Sequence, residues 1–183
     1  SVTLDLLYGD VTGDRTLSAL DASEILRLNV GLPATVDSFL ADVTANLDIS
    51  AFDAALVLHK VLVPAYVYPV DGGSLPKAAR RARTLALNAS DGGWSLTAVD
   101  PTGVRSVEAS FRVSGEVSVE CSGLNAWSRK GDILRVAAAF SGEPDTEQLT
   151  IRGGGSVTLL DARVNEGAQT TGSQPAAVVL SQN

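Results

Sequence analysis

The sequence predicts a multi-domain chain: a small α-helical module over roughly its first third, then an all-β sandwich of jelly-roll type. Three observations carry that expectation. Displaced by 32 residues, the chain aligns Asp10-Val11-Thr12 with Asp42-Val43-Thr44, Ser18-Ala19 with Ser50-Ala51, Asp21-Ala22 with Asp53-Ala54 and Leu26 with Leu58, so the first third is an internal repeat. A helical apolar period accompanies each copy and vanishes from Ala65 onward, where short alternating runs begin. Charge divides at the same place: residues 1–64 hold nine acidic and three basic side chains (net −6), and residues 65–183 hold twelve and eleven (net −1).

The chain has 183 residues with 45% apolar side chains and a mean hydropathy of +0.17, enough to fill a core or two small ones. No uninterrupted apolar run approaches the roughly 18 residues a membrane span requires. The acidic balance, −7 overall, argues against a nucleic-acid surface, which needs a basic stripe. It also asks which cation the N-terminal third neutralises. Four segments follow: a strand-like stretch over 1–7, the repeat module over 8–64, the sandwich over 65–168 and a tail over 169–183.

In residues 1–7, Val2, Leu4 and Leu6 alternate with Thr3 and Asp5. Each repeat then opens on a twelve-residue loop with oxygen-bearing side chains at positions one, three, five, nine and twelve. These are Asp10, Thr12, Asp14, Ser18 and Asp21, then Asp42, Thr44, Asn46, Ser50 and Asp53. Ca²⁺ takes about six to eight hard oxygen ligands, and alternating side chains of a tight loop can converge on it while the seventh residue, Thr16 or Asp48, offers its carbonyl. Two Ca²⁺ are therefore expected. Behind each loop runs a helical pattern, Ile25, Leu26 and Leu28 or Leu56, Val57 and Val61, ended by Gly31-Leu32-Pro33 and by Pro64. The sixth loop position, usually Gly, is Arg15 in one copy and Leu47 in the other, so strain of about 1 kcal/mol is expected there if φ is positive. Asn46 and the threonines lower the ligand charge.

Loop followed by helix, with Asp rather than Glu closing the loop and Asp-Val-Thr opening it, resembles the type I dockerin module of cellulosomes and related extracellular assemblies, over residues 8–64. That resemblance implies binding to a cohesin through loop positions ten and eleven and the following helix: Ala19, Leu20 and Arg27 in copy one, Ala51, Phe52 and His59 in copy two. Leu20 and Phe52 have two readings, an exposed docking surface or part of the module's own core.

Beyond Ala65 the strand candidates are Thr84–Asn88, Trp94–Val99, Ser106–Val113, Val117–Cys121, Ile133–Phe140, Gln148–Arg152 and Val157–Ala162. Their order and the closing phrase Asp161-Ala162-Arg163-Val164-Asn165-Glu166-Gly167 resemble a cohesin-like or carbohydrate-binding sandwich. Gly153-Gly154-Gly155 reads as a turn between two strands. Trp94 and Trp127 are expected in the core, with sugar stacking as the alternative. Cys121, the single cysteine, reads as a small buried hydrophobe. The basic cluster Lys77, Arg80, Arg81 and Arg83 precedes the first strand, and Ala176–Leu180 in the tail reads as a strand.

No catalytic constellation emerges: the single His59 lies in the repeat, so a Ser-His-Asp arrangement in the sandwich has no base. The expectation is a non-catalytic, calcium-dependent extracellular assembly protein, the dockerin-like module of one copy binding the cohesin-like sandwich of the next in a filament. The alternative is an accessory module that docks onto a separate cohesin-bearing scaffold and binds polysaccharide. A start at Ser1 and the absence of Met fit signal-peptide removal, as they fit a chain cut at that point.

Overall fold

The computed structural model describes residues 7–75, 84–142, 149–153 and 155–166. The strand expected over 1–7 lies outside them apart from Leu7, and so do the basic cluster and the tail strand.

Helices α1 (Ala19–Asn29) and α3 (Ala51–Leu62) begin in the same way because the repeat writes the same start signal twice. The hydroxyls of Ser18 and Ser50 accept from the N–H groups of Leu20 and Phe52, and the carboxylates of Asp21 and Asp53 return to the backbone N–H of the same serines. This reciprocal cap satisfies donors that a helix start otherwise leaves bare, a contribution of about 1 kcal/mol per helix. Gly31, at φ +75°, stops α1, and α3 ends just before Pro64. A single turn, α2 (Ser38–Ala41), is capped by Asp37 and leads into the second loop. The two long helices bury Ile25, Leu26, Phe52, Leu56 and Val57 against one another.

The helical module does not stop at residue 64. Tyr66, Tyr68, Val70 and Leu75 pack against the helical core, Tyr68 fully buried, and Val70 N–H donates to Val43 O at 3.1 Å. Residues 66–75, assigned above to the sandwich, belong to the helical module. They carry no helical period because a 3₁₀ turn at Pro69–Asp71 and irregular chain pin them by aromatic burial.

Among the described residues eight strands follow in two four-stranded antiparallel sheets: β1 (Leu85–Ser90), β2 (Gly93–Ala98), β3 (Ser106–Val113), β4 (Ser118–Cys121), β5 (Leu124–Lys130), β6 (Ile133–Ala139), β7 (Leu149–Arg152) and β8 (Val157–Val164). One sheet runs β1-β2-β7-β4 and the other β5-β6-β3-β8. Leu96, Phe111, Leu134, Leu149 and Ile151 fill the space between them, with Trp94 buried among them and Cys121 packed at the margin. Each of the seven strand candidates overlaps a strand; Gln148, the start of one, lies outside the described residues. The eighth, β5, escaped because Asn125, Ser128, Arg129 and Lys130 leave only Ala126 buried, as an edge strand permits. Gly153 and Gly155 are more than a loose turn: a Cβ would lie 2.1 Å from Glu116 O at the first and 2.3 Å from Ser114 O at the second.

The outer face of the β5-β6-β3-β8 sheet carries the helical module. Along β6, Val136 and Ala138 point into the sandwich, while Ala137 and Ala139 point outward and are buried just as completely in the helical core, together with Ala126 of β5. Alanine on that face lets α1 and α3 approach closely. Ser128 Oγ donates to Val30 O across the same contact, and a cleft of about 330 Å³ beside Asn29, Glu108, Arg135 and Asp161 marks its rim.

Candidate metal centre

The two loops share most, though not all, of their hydrogen bonds. Asp10 accepts from the backbone N–H of Gly13 (2.9 Å), Asp14 (3.2 Å) and Arg15 (2.8 Å); Asp42 accepts from Asn46 (3.1 Å) and Leu47 (2.8 Å). Asp14 receives Thr16 N–H at 2.7 Å and Asn46 receives Asp48 N–H at 2.8 Å. Asp21 accepts from Thr12 N–H (3.2 Å), Thr12 Oγ1 (2.9 Å) and Ser18 Oγ (3.2 Å); Asp53 accepts from Thr44 N–H (3.2 Å) and Ser50 Oγ (3.2 Å). Each first-position carboxylate therefore organises its loop through backbone donors, and each twelfth-position carboxylate ties the loop to the helix start.

The sixth positions are strained as expected. Arg15 and Leu47 both sit at φ +68°, and Ala45 adopts φ +60° where copy one has Gly13.

The donor set consists of carboxylate, hydroxyl, amide and carbonyl oxygens with no nitrogen or sulfur, which suits a hard cation. Among the described residues, no group of three His, Cys, Asp or Glu side chains stands gathered as a finished cage, because the closing aspartates are turned onto the serine caps. The residues present fit calcium by chemistry and order: the side chains at positions one, three, five, nine and twelve and the carbonyl of Thr16 or Asp48 would hold it. Bound there, the ion would neutralise carboxylates that the fold brings together.

The second loop contains a group no repeat pattern announces. Glu166, two residues past β8, reaches from the sandwich into it: Glu166 Oε1 accepts from Thr44 Oγ1 at 3.1 Å and Ser50 Oγ at 2.8 Å. Burial holds the Asp53 carboxyl well above the usual carboxylate range, and the Glu166 carboxylate beside it pushes further the same way. Burial likewise raises Glu166. Around this contact Arg163 pairs with Glu108 Oε2 at 2.7 Å and with Asp48, while Glu108 Oε1 accepts Ala51 N–H at 2.5 Å at the start of α3. Sequence reasoning took the phrase 161–167 as a family likeness only. The unusual density of polar side chains at the end of a strand is the signal it offered.

The two copies differ in what they leave outside. Ala19 and Leu20 of copy one are exposed, Leu20 by 55%, and Arg27 donates to Pro33 O at 3.0 and 2.6 Å on the same helix's outer side. In copy two Ala51 and Phe52 are buried, Phe52 with 1% exposure: of the two readings of Phe52 its packing matches the core one, and Ala51, expected at a partner surface, lies in the same core that the helices share with the sheet. His59 is half-buried, edge-on to Tyr66 with ring centres 4.8 Å apart, and burial, with help from Arg105, lowers its pKa.

No match was found among curated proteins or among solved structures. The family model of the dockerin type I domain matches residues 8–62. Dockerin type I domains are non-catalytic modules that bind calcium through duplicated EF-hand-like loops and dock other proteins, and residues 8–62 of this chain are such a domain.

Proposed function

We propose that this chain docks through copy one onto a separate cohesin-bearing partner, in a calcium-dependent way, while copy two serves as the seat for its own sandwich. One observation carries the reading: at equivalent repeat positions Leu20 is exposed and Phe52 is buried. An exposed leucine at a loop's eleventh position, flanked by Ala19 and followed by Arg27 one helical face along, supplies the small apolar anchor with a polar rim that docking interfaces use. Ala51, Phe52 and the early part of α3 have no such freedom.

The same packing bears on the head-to-tail filament expected from sequence. The sandwich, read as a cohesin-like jelly roll, has the outer face of β5-β6-β3-β8 covered by its own helices. A neighbouring copy could use that face only by displacing the resident module, so docking onto another protein is favoured over self-assembly. The sandwich acts in this reading as a non-catalytic spacer. A polysaccharide platform has little to stand on, since Trp94 is buried and Trp127 is exposed by 38% without a second described tryptophan near the surface. Secretion to the cell surface or the medium follows from the docking role; no helix among the described residues is long and apolar enough to cross a membrane.

Light scattering of the pure chain in calcium, followed by binding to immobilised cohesin modules with and without EDTA, tests this. The expected result is a monomer that binds a cohesin in calcium only, with Leu20→Asp weakening binding by about thirtyfold or more, the scale of a lost hot-spot contact. Large species formed without a partner would establish the filament instead.

A further inference from the structure

We infer that Glu166 of the sandwich is a ligand of the calcium in the second loop, so that filling this site fastens the two modules together. Three observations converge. First, Glu166 Oε1 lies within hydrogen-bond distance of Thr44 Oγ1 and Ser50 Oγ, the side chains at positions three and nine of the loop, and its carboxylate stands beside Asp53 at position twelve. Glu166 thus stands against three of the loop's ligand positions at once. Second, copy two is one carboxylate short. Position five is Asp14 in copy one and Asn46 in copy two, and Asp48 has its side chain committed to Arg163. Glu166 restores the count from two side-chain carboxylates to three, and calcium affinity depends on that count. Third, copy one gives an internal control: Thr12 Oγ1 donates to Asp21 of its own loop where Thr44 Oγ1 donates to Glu166, and Ser18 Oγ shares with Ser50 Oγ the bond to its own closing aspartate but reaches no described sandwich residue.

The physical logic is electrostatic. Glu166 and Asp53 face one another at a buried contact, an arrangement that costs free energy for as long as both are charged and nothing positive lies between them. A divalent cation reverses that sign and turns a repulsive contact between modules into an attractive one. Because Glu166 lies only two residues past β8, pulling it from the loop would unseat the end of that strand along with the Arg163 pairs to Glu108 and Asp48. Copy one is thereby left as an independent calcium loop on the docking side, and copy two becomes a joint.

The inference rests on calcium occupying both loops, and the experiment reads that separately. Isothermal titration of the full chain with calcium counts and ranks the sites. Fluorescence of Trp94 and Trp127, the only tryptophans and both in the sandwich, follows thermal unfolding of the sandwich alone. In the native chain calcium should raise that midpoint. In Glu166→Gln one site should weaken by about tenfold or more while the other keeps its affinity, and the calcium-induced rise should be lost. Asp42→Ala should abolish the rise as well, and Asp10→Ala should leave it in place. Two sites of unchanged affinity in Glu166→Gln, or a sandwich midpoint indifferent to calcium in the native chain, would overturn the inference while leaving calcium-dependent docking intact. A native chain that takes up no calcium would contradict the docking reading itself.

Discussion

Leu47 concentrates the conflict between repeat and chemistry in one residue. It is 96% exposed, buries nothing, and holds φ +68° because the twelve-residue loop turns sharply at its sixth position. A β-carbon there costs about 1–2 kcal/mol, and glycine would relieve it while adding about 0.5–1 kcal/mol of unfolded-state freedom. Leu47→Gly should therefore stabilise the calcium-free chain by roughly 0.5 kcal/mol, read as a higher urea midpoint at unchanged slope. Arg15 has the same φ and the same remedy. At the first positions the sign is opposite: Asp10 gathers three backbone donors and Asp42 two, so Asp10→Ala or Asp42→Ala removes a ligand and loosens the loop together. Each should delete one of the two calcium sites in titration calorimetry. The aspartates were legible in the sequence from spacing alone, and so was the strain at Arg15 and Leu47. Glu166 was not, because its role depends on a strand from another module ending beside the loop, which no local pattern records.

At the level of elements, the two repeats begin as equals and end unequal. Their capping boxes match in hydrogen bonding, yet α3 is buried from Ala51 to Val57 without a break, whereas α1 keeps Leu20 and Leu28 outside. Both helices pack on the sheet, but only the start of α3 is tied to it among the described residues, through Ala51 N–H to Glu108 and Ser50 Oγ to Glu166. It follows that Phe52→Ala should cost about 3–5 kcal/mol of stability, the usual penalty for emptying a buried aromatic site. Leu20→Ala should change stability by less than about 0.5 kcal/mol and reveal itself only in partner binding. Chemical unfolding of the two variants side by side checks this. A trace of the asymmetry was present in β6, where Val136-Ala137-Ala138-Ala139 breaks the alternation of a half-exposed strand and reads as one buried on both faces. The strand was found, but which element would cover its outer side was not, since alanine suits any close neighbour. Residues 66–75 were misplaced for a related reason: Tyr66 and Tyr68 are as suited to a sandwich as to a helical core, and only the packing decides.

In the whole molecule the helical module sits on the sandwich with its second loop against the sandwich's Glu166 and its first loop away from that contact. Ala137 is the test point for that arrangement, because its side chain faces the helices while its neighbours Val136 and Ala138 keep the sandwich core intact. Ala137→Glu places a carboxylate in the middle of the contact, where it would be buried without a partner, and the lower-energy outcome is for the modules to part. Small-angle X-ray scattering of the full chain in calcium, native against Ala137→Glu, measures this most directly. The account predicts a single compact particle for the native chain and, for the variant, a radius of gyration larger by several ångströms with a two-lobed distance distribution, while Trp94 fluorescence stays that of a folded sandwich. Identical scattering from the two chains, with the variant fully folded, would contradict it.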